Sequence, residues 1–537
     1  MPLGGIGAGC ICFNGQGGLG DFSIHNRPYL STGADAGGLH LHHCAFALLH
    51  VKGPKGVTKL LEGPMPAERI YNQGLRAKGY DGGGFEDLPR FEKCSFRGEY
   101  SFGRVRLADR AVPLGVEITG WNPFVPLDDK NSSIPCAILE YTLTNRSKTK
   151  VDYEFSYHLS HLAPGPNGWR DTFSSSVGGM GVFFSNAAHR NHEQFGSAAL
   201  AVVDHRPRIK AAWFRGRYFD ALTGLWREVS TGRFRSNRGT VRPLETNKSG
   251  GSILLAGSLN SGASVTYPII ITWYFPNVHW HYSETTNDRC GLERGRRKGR
   301  VPAPRWRPYY TSQWSNALEA AVYVKERYTS LRARTQAFHD ALFASTLPSY
   351  VLDAVSANLA IIKSPTVLRQ ENGNLWVWEG CGHNSGCCGG SCTHVWNYAQ
   401  AIAHLFPQLA RTLREGELLR SMDERGHVAF RAALPDGPIG HSHHAACDGQ
   451  LGGVMKLYRD WLICGDRRWL EKMYPSGGPR RQLDTNNSPG ATRHISTSTC
   501  STASTTTRRS PGRACGTNRS PGKSPRSTQE APKRPNS

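Results

Sequence analysis

The residues best suited to chemistry lie between positions 374 and 398. Asn374-Leu-Trp-Val-Trp-Glu379-Gly-Cys runs on to Cys392-Thr-His-Val-Trp-Asn-Tyr398. One carboxylate, Glu379, stands between tryptophans and glycine. Aromatic faces stack on the C–H face of a sugar, and an isolated carboxylate can attack or stabilise an oxocarbenium-like carbon. The same residues also fit a plain structural use, with the tryptophans in a core and Glu379 capping a helix. Cys381, Cys387, Cys388 and Cys392 follow within twelve residues. Their spacing is not a repeated CxxC, and the adjacent pair fits tetrahedral ligation poorly. A reduced or disulfide-bridged glycine-rich loop suits them better than zinc. No metal and no cofactor are expected.

A chain of 537 residues is long enough for two or three domains. Val151 to Leu159 alternates strictly, with Val151, Tyr153, Phe155, Tyr157 and Leu159 on one face. Ser133–Leu143 and Ser264–Phe275 read as further strands. Residues 1–280 are therefore expected to form an antiparallel β-sandwich. The glycines of Gly4-Gly-Ile-Gly-Ala-Gly9 have no strand before them and no following Lys-Ser/Thr. They read as tight turns and not as a phosphate loop.

Residues 281–311 are a basic linker. From 312 the period changes to that of helices. Ser315–Ala344 is long, charged and free of Pro and Gly. Tyr350–Ile362 and Val395–Leu413 carry apolar residues at helical spacing, the latter split by Pro407. Leu451–Ile463 does so again, with Val454, Met455, Tyr458 and Trp461 or Leu462 as its apolar face. Successive helices joined by short turns predict part of an α/α barrel over 312–475. The fold class is thus α+β multidomain. Residues 476–537 hold no Val, Met, Phe, Tyr or Trp. Such a segment cannot offset its ordering entropy and is expected to be disordered.

The formal net charge is +23. Much of it sits in Arg289–Arg307 and in the tail, which carry almost no interleaved aromatics, so a nucleic-acid partner is not expected. No apolar run is long enough for a transmembrane helix. The first residues lack the pattern of a signal peptide; as written the chain is expected in the cytoplasm, but a truncated start would remove such a signal, and the compartment is left unknown.

Taken in order, four segments resemble glycoside hydrolase family 116, the family of the non-lysosomal glucosylceramidase and bacterial β-glucosidases. They are Pro2–Gly9, Gly120-Trp-Asn-Pro-Phe-Val-Pro-Leu-Asp-Asp129, Trp378-Glu379-Gly380, and Tyr458-Arg-Asp-Trp with Gly465-Asp466. The resemblance implies an N-terminal β-sandwich, a C-terminal (α/α)6 barrel, and retaining hydrolysis of a β-glucoside or glucosylated lipid. It implies Glu379 as nucleophile and Trp378, His394, His444 and Asp448 around the sugar. Val395 takes the place of the family's sugar-binding Asp, with His394 beside it as a candidate substitute. Which of His441, His443 and His444 matches the family's substrate histidine is left open. The family's acid/base Asp lies well over a hundred residues after the nucleophile. Family-like sequence here stops at Pro475, and the start falls inside the first family segment. The chain is expected to be a fragment with an out-of-frame tail and little hydrolytic activity. The alternative is a non-catalytic protein that binds carbohydrate or an anionic partner.

Overall fold

The computed structural model describes residues 1–29, 44–54, 56–65, 88–167, 171–213, 221–237, 250–278, 305–381, 386–387, 391, 393, 400–437 and 446–473. The expected tail and most of the basic linker lie outside these residues. The fold is α+β, with several antiparallel sheets preceding a helical region. No helix among the described residues is long and apolar enough to cross a membrane.

Two large sheets dominate the first part. The five-stranded sheet is centred on Val151–Ser160, which pairs with Gly250–Leu259 on one side and Ala45–Val51 on the other. The eight-stranded sheet has Ser264–Tyr274, Cys136–Asn145 and Leu114–Trp121 as its middle strands. Tyr153, Phe155 and Tyr157 are buried together in one apolar cluster with Leu139, Tyr141, Tyr267 and Ile269 of the larger sheet. The alternation from Val151 thus sets which face meets the neighbouring sheet.

The other face of that strand differs from a simple polar-out pattern. Glu154, Ser156 and His158 are buried too. They are covered because Phe46 stacks on His158, and because helix Ala221–Ser230 brings Leu222, Leu225 and Val229 against Phe46, Leu48 and Leu254. Glu154 Oε1 pairs with Lys52 Nζ at 2.9 Å while its Oε2 has no hydrogen-bond partner; Ser156 and His158 are satisfied locally. Ser156 Oγ is 2.9 Å from His158 Nε2, and His158 Nδ1 is 2.7 Å from Ser252 Oγ. Burial pushes His158 down to about 3, so the ring is neutral and hydrogen-bonded.

The glycine-rich opening forms strands Pro2–Gly4 and Cys10–Phe13 with turns between them. Gly7 has φ +68° and packs so closely on Arg369 that a Cβ would lie 2.3 Å from its Cβ. Only glycine meets both demands.

The long helix Ala317–Phe343 starts where Asn316 caps it by accepting from the Glu319 amide at 3.0 Å, while Glu319 accepts from the Ser315 amide at 2.8 Å. It covers the outer face of the eight-stranded sheet: Ala317, Ala320, Ala321 and Val324 pack with Ile138, Ala199 and Ile270. Helix Ser349–Leu359 follows. Pro407 ends Ala401–Leu405 and opens Pro407–Glu415 at a first-turn position, where a missing N–H costs nothing. Helix Cys447–Cys464 stops at Gly465, whose φ is +63°.

One face is inverted relative to its sequence pattern. In Cys447–Cys464 the buried positions are Gly449, Gln450, Gly453, Lys456 and Asp460. Met455, Tyr458 and Leu462 are 72%, 60% and 59% exposed. The reason is a set of buried ion pairs from Lys456 and Asp460 to Arg414 and Glu417 on the neighbouring segment. These fix the helix with its charged row inward.

The segment Trp121–Asp129 joins sheet to helices. Trp121 Nε1 donates to Glu140 at 2.8 Å, and Glu140 also accepts from Tyr328 and Arg332 of the long helix. The Phe124 amide donates to Thr335 Oγ1 at 3.1 Å, and the Leu127 amide to the Leu405 carbonyl at 2.9 Å. Asp128 pairs with Arg334 and Asp129 with Arg369. Pro123 O accepts from Lys363 Nζ at 2.7 Å.

Lys363 is fully buried with its ammonium over the Phe124 ring, and burial lowers it to about 7. An unfolded lysine titrates near 10.4. Between these values the unfolded chain binds more protons, so this residue makes stability rise with pH through that window and adds no slope below it. Wild type is expected to gain on Lys363→Met steadily from pH 7 to pH 9 in parallel denaturant titrations. A difference that stays flat over that range contradicts the assignment.

Candidate active site

Glu379 is positioned by a hairpin. Val367–Arg369 pairs antiparallel with Leu375–Val377, in the register Val367↔Val377 and Arg369↔Leu375. Gly373, at φ +92°, lets the loop close. The Trp378 amide extends the ladder by donating to Thr366 O at 2.8 Å. The chain then bends at Glu379 before the short ladder Gly380–Cys381 with Gly386–Cys387. A carboxylate at the bend after a clamped strand is held by backbone bonds on its N-terminal side.

Trp376 and Trp378, two apart on the strand, share a face. Both are buried, with ring centroids 5.4 Å apart in an edge-to-face arrangement. They pack with Val278, Trp306, Leu368 and Leu434. Trp376 Nε1 donates to Ala432 O at 3.1 Å. In this conformation the two rings wall the site from behind; the Trp378 ring is 2% exposed, and a stacked sugar does not reach it.

The segment Phe430-Arg431-Ala432 runs alongside. Arg431 Nη2 lies 3.5 Å from Glu379 Oε1, with the two side chains 25% and 19% exposed. Its guanidinium sits 5.0 Å from the centroid of the Phe430 ring. Phe430 O accepts from the Thr393 amide at 3.4 Å. Thr393 in turn abuts helix Cys447–Cys464: a Cβ on Gly449 would lie 2.5 Å from Thr393 Oγ1. Asp448, exposed in the first turn of that helix, is adjacent in sequence to this contact. Gln450 holds the helix start to the preceding segment through Gly426 O at 3.1 Å and the Val428 amide at 3.3 Å.

Three stretches singled out in the sequence are thereby linked by contacts: Trp378-Glu379-Gly380, the 391–393 segment, and the helix start that carries Asp448. His394 and His444 lie outside the described residues, as do Cys388, Cys392, His441 and His443; nothing is added about their places. The side chains of Cys381 and Cys387 are likewise not described. Among the described residues no group of three or more His, Cys, Asp or Glu could hold a metal ion.

The sequence reading missed Arg431. A single arginine in Ala429-Phe-Arg-Ala-Ala433 carries no motif, and only the fold brings it to Glu379. The Tyr458-Arg-Asp-Trp461 motif is divided in two. Tyr458 is exposed, whereas Asp460 is 2% exposed and accepts from Arg459 Nε at 2.9 Å.

The arrangement can hold an ionised carboxylate beside a guanidinium in a partly exposed bend, with an apolar wall behind it. That suits attack on an electrophilic carbon.

Comparison with curated protein sequences returns no match. Among solved structures, a putative kojibiose phosphorylase from human microbiome is 11% identical, with a TM-score of 0.36; the alignment covers 72% of this chain and 45% of that one. A polysaccharide lyase is 12% identical at a TM-score of 0.23, covering 49% and 32%. The chain thus spans less than half the length of these proteins. The sequence description beta-glucosidase 2, glycosyl-hydrolase family 116 N-term matches residues 1–331, which ends before Glu379. That match takes in more than half of the chain, which therefore belongs to glycoside hydrolase family 116.

Proposed function

We propose that the chain carries the nucleophile half of a retaining β-glycosidase site, acting on a β-glucoside or a glucosylated lipid. The observation that carries this reading is Glu379 in its clamped bend, paired with Arg431 and backed by Trp376 and Trp378, in a chain of this family. Glu379 attacks the anomeric carbon from one face of the sugar, and the bond to the leaving oxygen breaks. A glycosyl-enzyme forms, which water then opens. Arg431 is a positioning residue: it holds the carboxylate charged and aimed, and its Phe430 platform keeps the guanidinium from swinging away. His394, His444 and Asp448 are the proposed sugar contacts, with Trp378 behind them in the buried cluster. No cofactor enters this chemistry.

The two large sheets are proposed to be the family's β-sandwich. The helices from Ala317 to Met473 are proposed as the opening part of an (α/α)6 barrel, with domain limits near 280, 311 and 475. The exposed row Leu451, Met455, Tyr458 and Leu462 supports this, because an apolar stripe of that width is normally packed against further helices. The proton donor of the first step is not assigned to any residue of this chain. Substrates with good leaving groups should therefore react, and ordinary glycosides should react about 10² to 10⁴ times more slowly than in a complete enzyme.

Glu379→Ala should abolish cleavage of 2,4-dinitrophenyl β-glucoside with no change in melting temperature. Azide should restore turnover and yield the α-glucosyl azide. Undiminished cleavage by Glu379→Ala rules out the nucleophile role. Arg431→Met should slow the same reaction about ten-fold in kcat with little change in KM. Arg431→Lys should recover part of that loss; equal loss in both variants points to a merely structural arginine.

A further inference from the structure

The pair Glu379–Arg431 joins two segments that are distant in sequence, and Arg431 does little to hold itself in place. Its Nη2 is 3.5 Å from Glu379 Oε1, its guanidinium faces the Phe430 ring, and its Nε is buried with no acceptor among the described residues. A guanidinium held so lightly goes where the backbone of its segment puts it.

The ties between the two segments run in opposite chain directions. Arg431 meets Glu379, Ala432 O accepts from Trp376 Nε1 at 3.1 Å, and Asp436 meets the hairpin turn at Gln370 and Asn374. Asp436 is the most heavily bonded of these joints. Its Oδ1 accepts from Gln370 Nε2 at 2.9 Å, and its amide donates back to Gln370 Oε1 at 2.9 Å. Its Oδ2 accepts from Asn374 Nδ2, and Asn372 Nδ2 lies 3.5 Å from the same oxygen. Gln370 is buried, and Arg420 Nη2 answers the charge from 3.7 Å. Hydrogen bonds to an ionised acceptor are stronger than neutral ones. The hairpin does not need this carboxylate for its own closure. Its strands pair by backbone bonds, and the turn adds Gly373 N to Gln370 O at 2.8 Å and Gln370 N to Asn374 O at 2.9 Å. What Asp436 adds is a hold on the segment that carries Arg431.

We propose that Asp436 is a positioning residue for the Glu379–Arg431 pair. It sets the register of the Arg431 segment against the hairpin, and so the separation of guanidinium and carboxylate. The inference rests on the reading of Glu379 as nucleophile with Arg431 beside it. Without Asp436 the hairpin keeps its ladder, while the Arg431 segment is left to the Trp376 indole and to the packing of Leu434. A displacement of about 1 Å carries a 3.5 Å pair out of contact.

The test is a double-mutant cycle on cleavage of 2,4-dinitrophenyl β-glucoside by the full chain. Asp436→Ala is expected to lower kcat about ten-fold, as Arg431→Met does, with KM changed less than about two-fold. The double variant Asp436→Ala with Arg431→Met is expected to be no slower than Arg431→Met alone, because Asp436 acts through Arg431. Losses that multiply in the double variant, or a kcat for Asp436→Ala equal to that of the unaltered chain, overturn the proposal and leave Glu379 as nucleophile. Undiminished cleavage by Glu379→Ala removes the underlying reading, and the proposal with it. If Asp436→Ala does not fold, Asp436→Asn, which keeps the shape and one acceptor, carries the same cycle with the same expected non-additivity.

Discussion

The structure depends most on one segment, Trp121–Asp129, which leaves the eight-stranded sheet and anchors the helices. Within nine residues it contributes an indole to the buried Glu140, a carbonyl to the buried Lys363, an amide to Thr335 and two carboxylates to Arg334 and Arg369. Glu140 is the heaviest of these joints. It is 6% exposed and accepts from Trp121, Tyr328 and Arg332 at once. A carboxylate buried in this way is tolerable because every charge is answered; removing one partner of such a pair typically costs about 3–5 kcal/mol. Arg369 carries the effect onward. It pairs with Asp129, lies over the Tyr309 ring and presses on Gly7, and it belongs to the hairpin that leads to Glu379. The sheet region therefore fixes the candidate site through a short chain of contacts, although most of that region lies far from it in sequence.

How much was legible in the sequence follows from which interactions are local. The strand at Val151 and the long helix from Ala317 were legible, because alternation and an unbroken charged stretch without Gly and Pro are properties of neighbours in the chain. Pro407 splitting a helix was legible for the same reason. The burial of Glu154, Ser156 and His158 was not, because it depends on helix Ala221–Ser230 arriving from elsewhere to cover them. The orientation of Cys447–Cys464 was not legible. Periodicity marked Met455, Tyr458 and Leu462 as the apolar face, and Lys456 and Asp460 are the side turned inward because Arg414 and Glu417 wait there. A period shows that a helix has two faces. It does not say which one the partner will choose when the partner is charged.

The candidate site divides in the same way. Glu379 and its tryptophans were visible as types and spacing. Arg431 was not, because nothing in its own surroundings marks it. The structure also changes the part played by the indoles. With Trp376 and Trp378 packed edge to face in a cluster with Trp306 and Leu434, they form a rigid apolar back wall and lower the local polarity around the carboxylate. A low-polarity wall strengthens the attraction between Glu379 and Arg431 and that between Glu379 and a developing positive charge on a sugar.

The central claim is that Glu379 forms a covalent bond to a sugar. It is tested most directly by exposing the chain to 2-deoxy-2-fluoro-β-glucosyl fluoride, whose leaving group needs no proton donor. Intact mass and peptide mapping then follow. The account predicts one added fluoroglucosyl group, on the peptide that contains Trp378-Glu379-Gly380 and at Glu379 itself. A folded protein that takes up no label, or takes it up on another carboxylate, contradicts it.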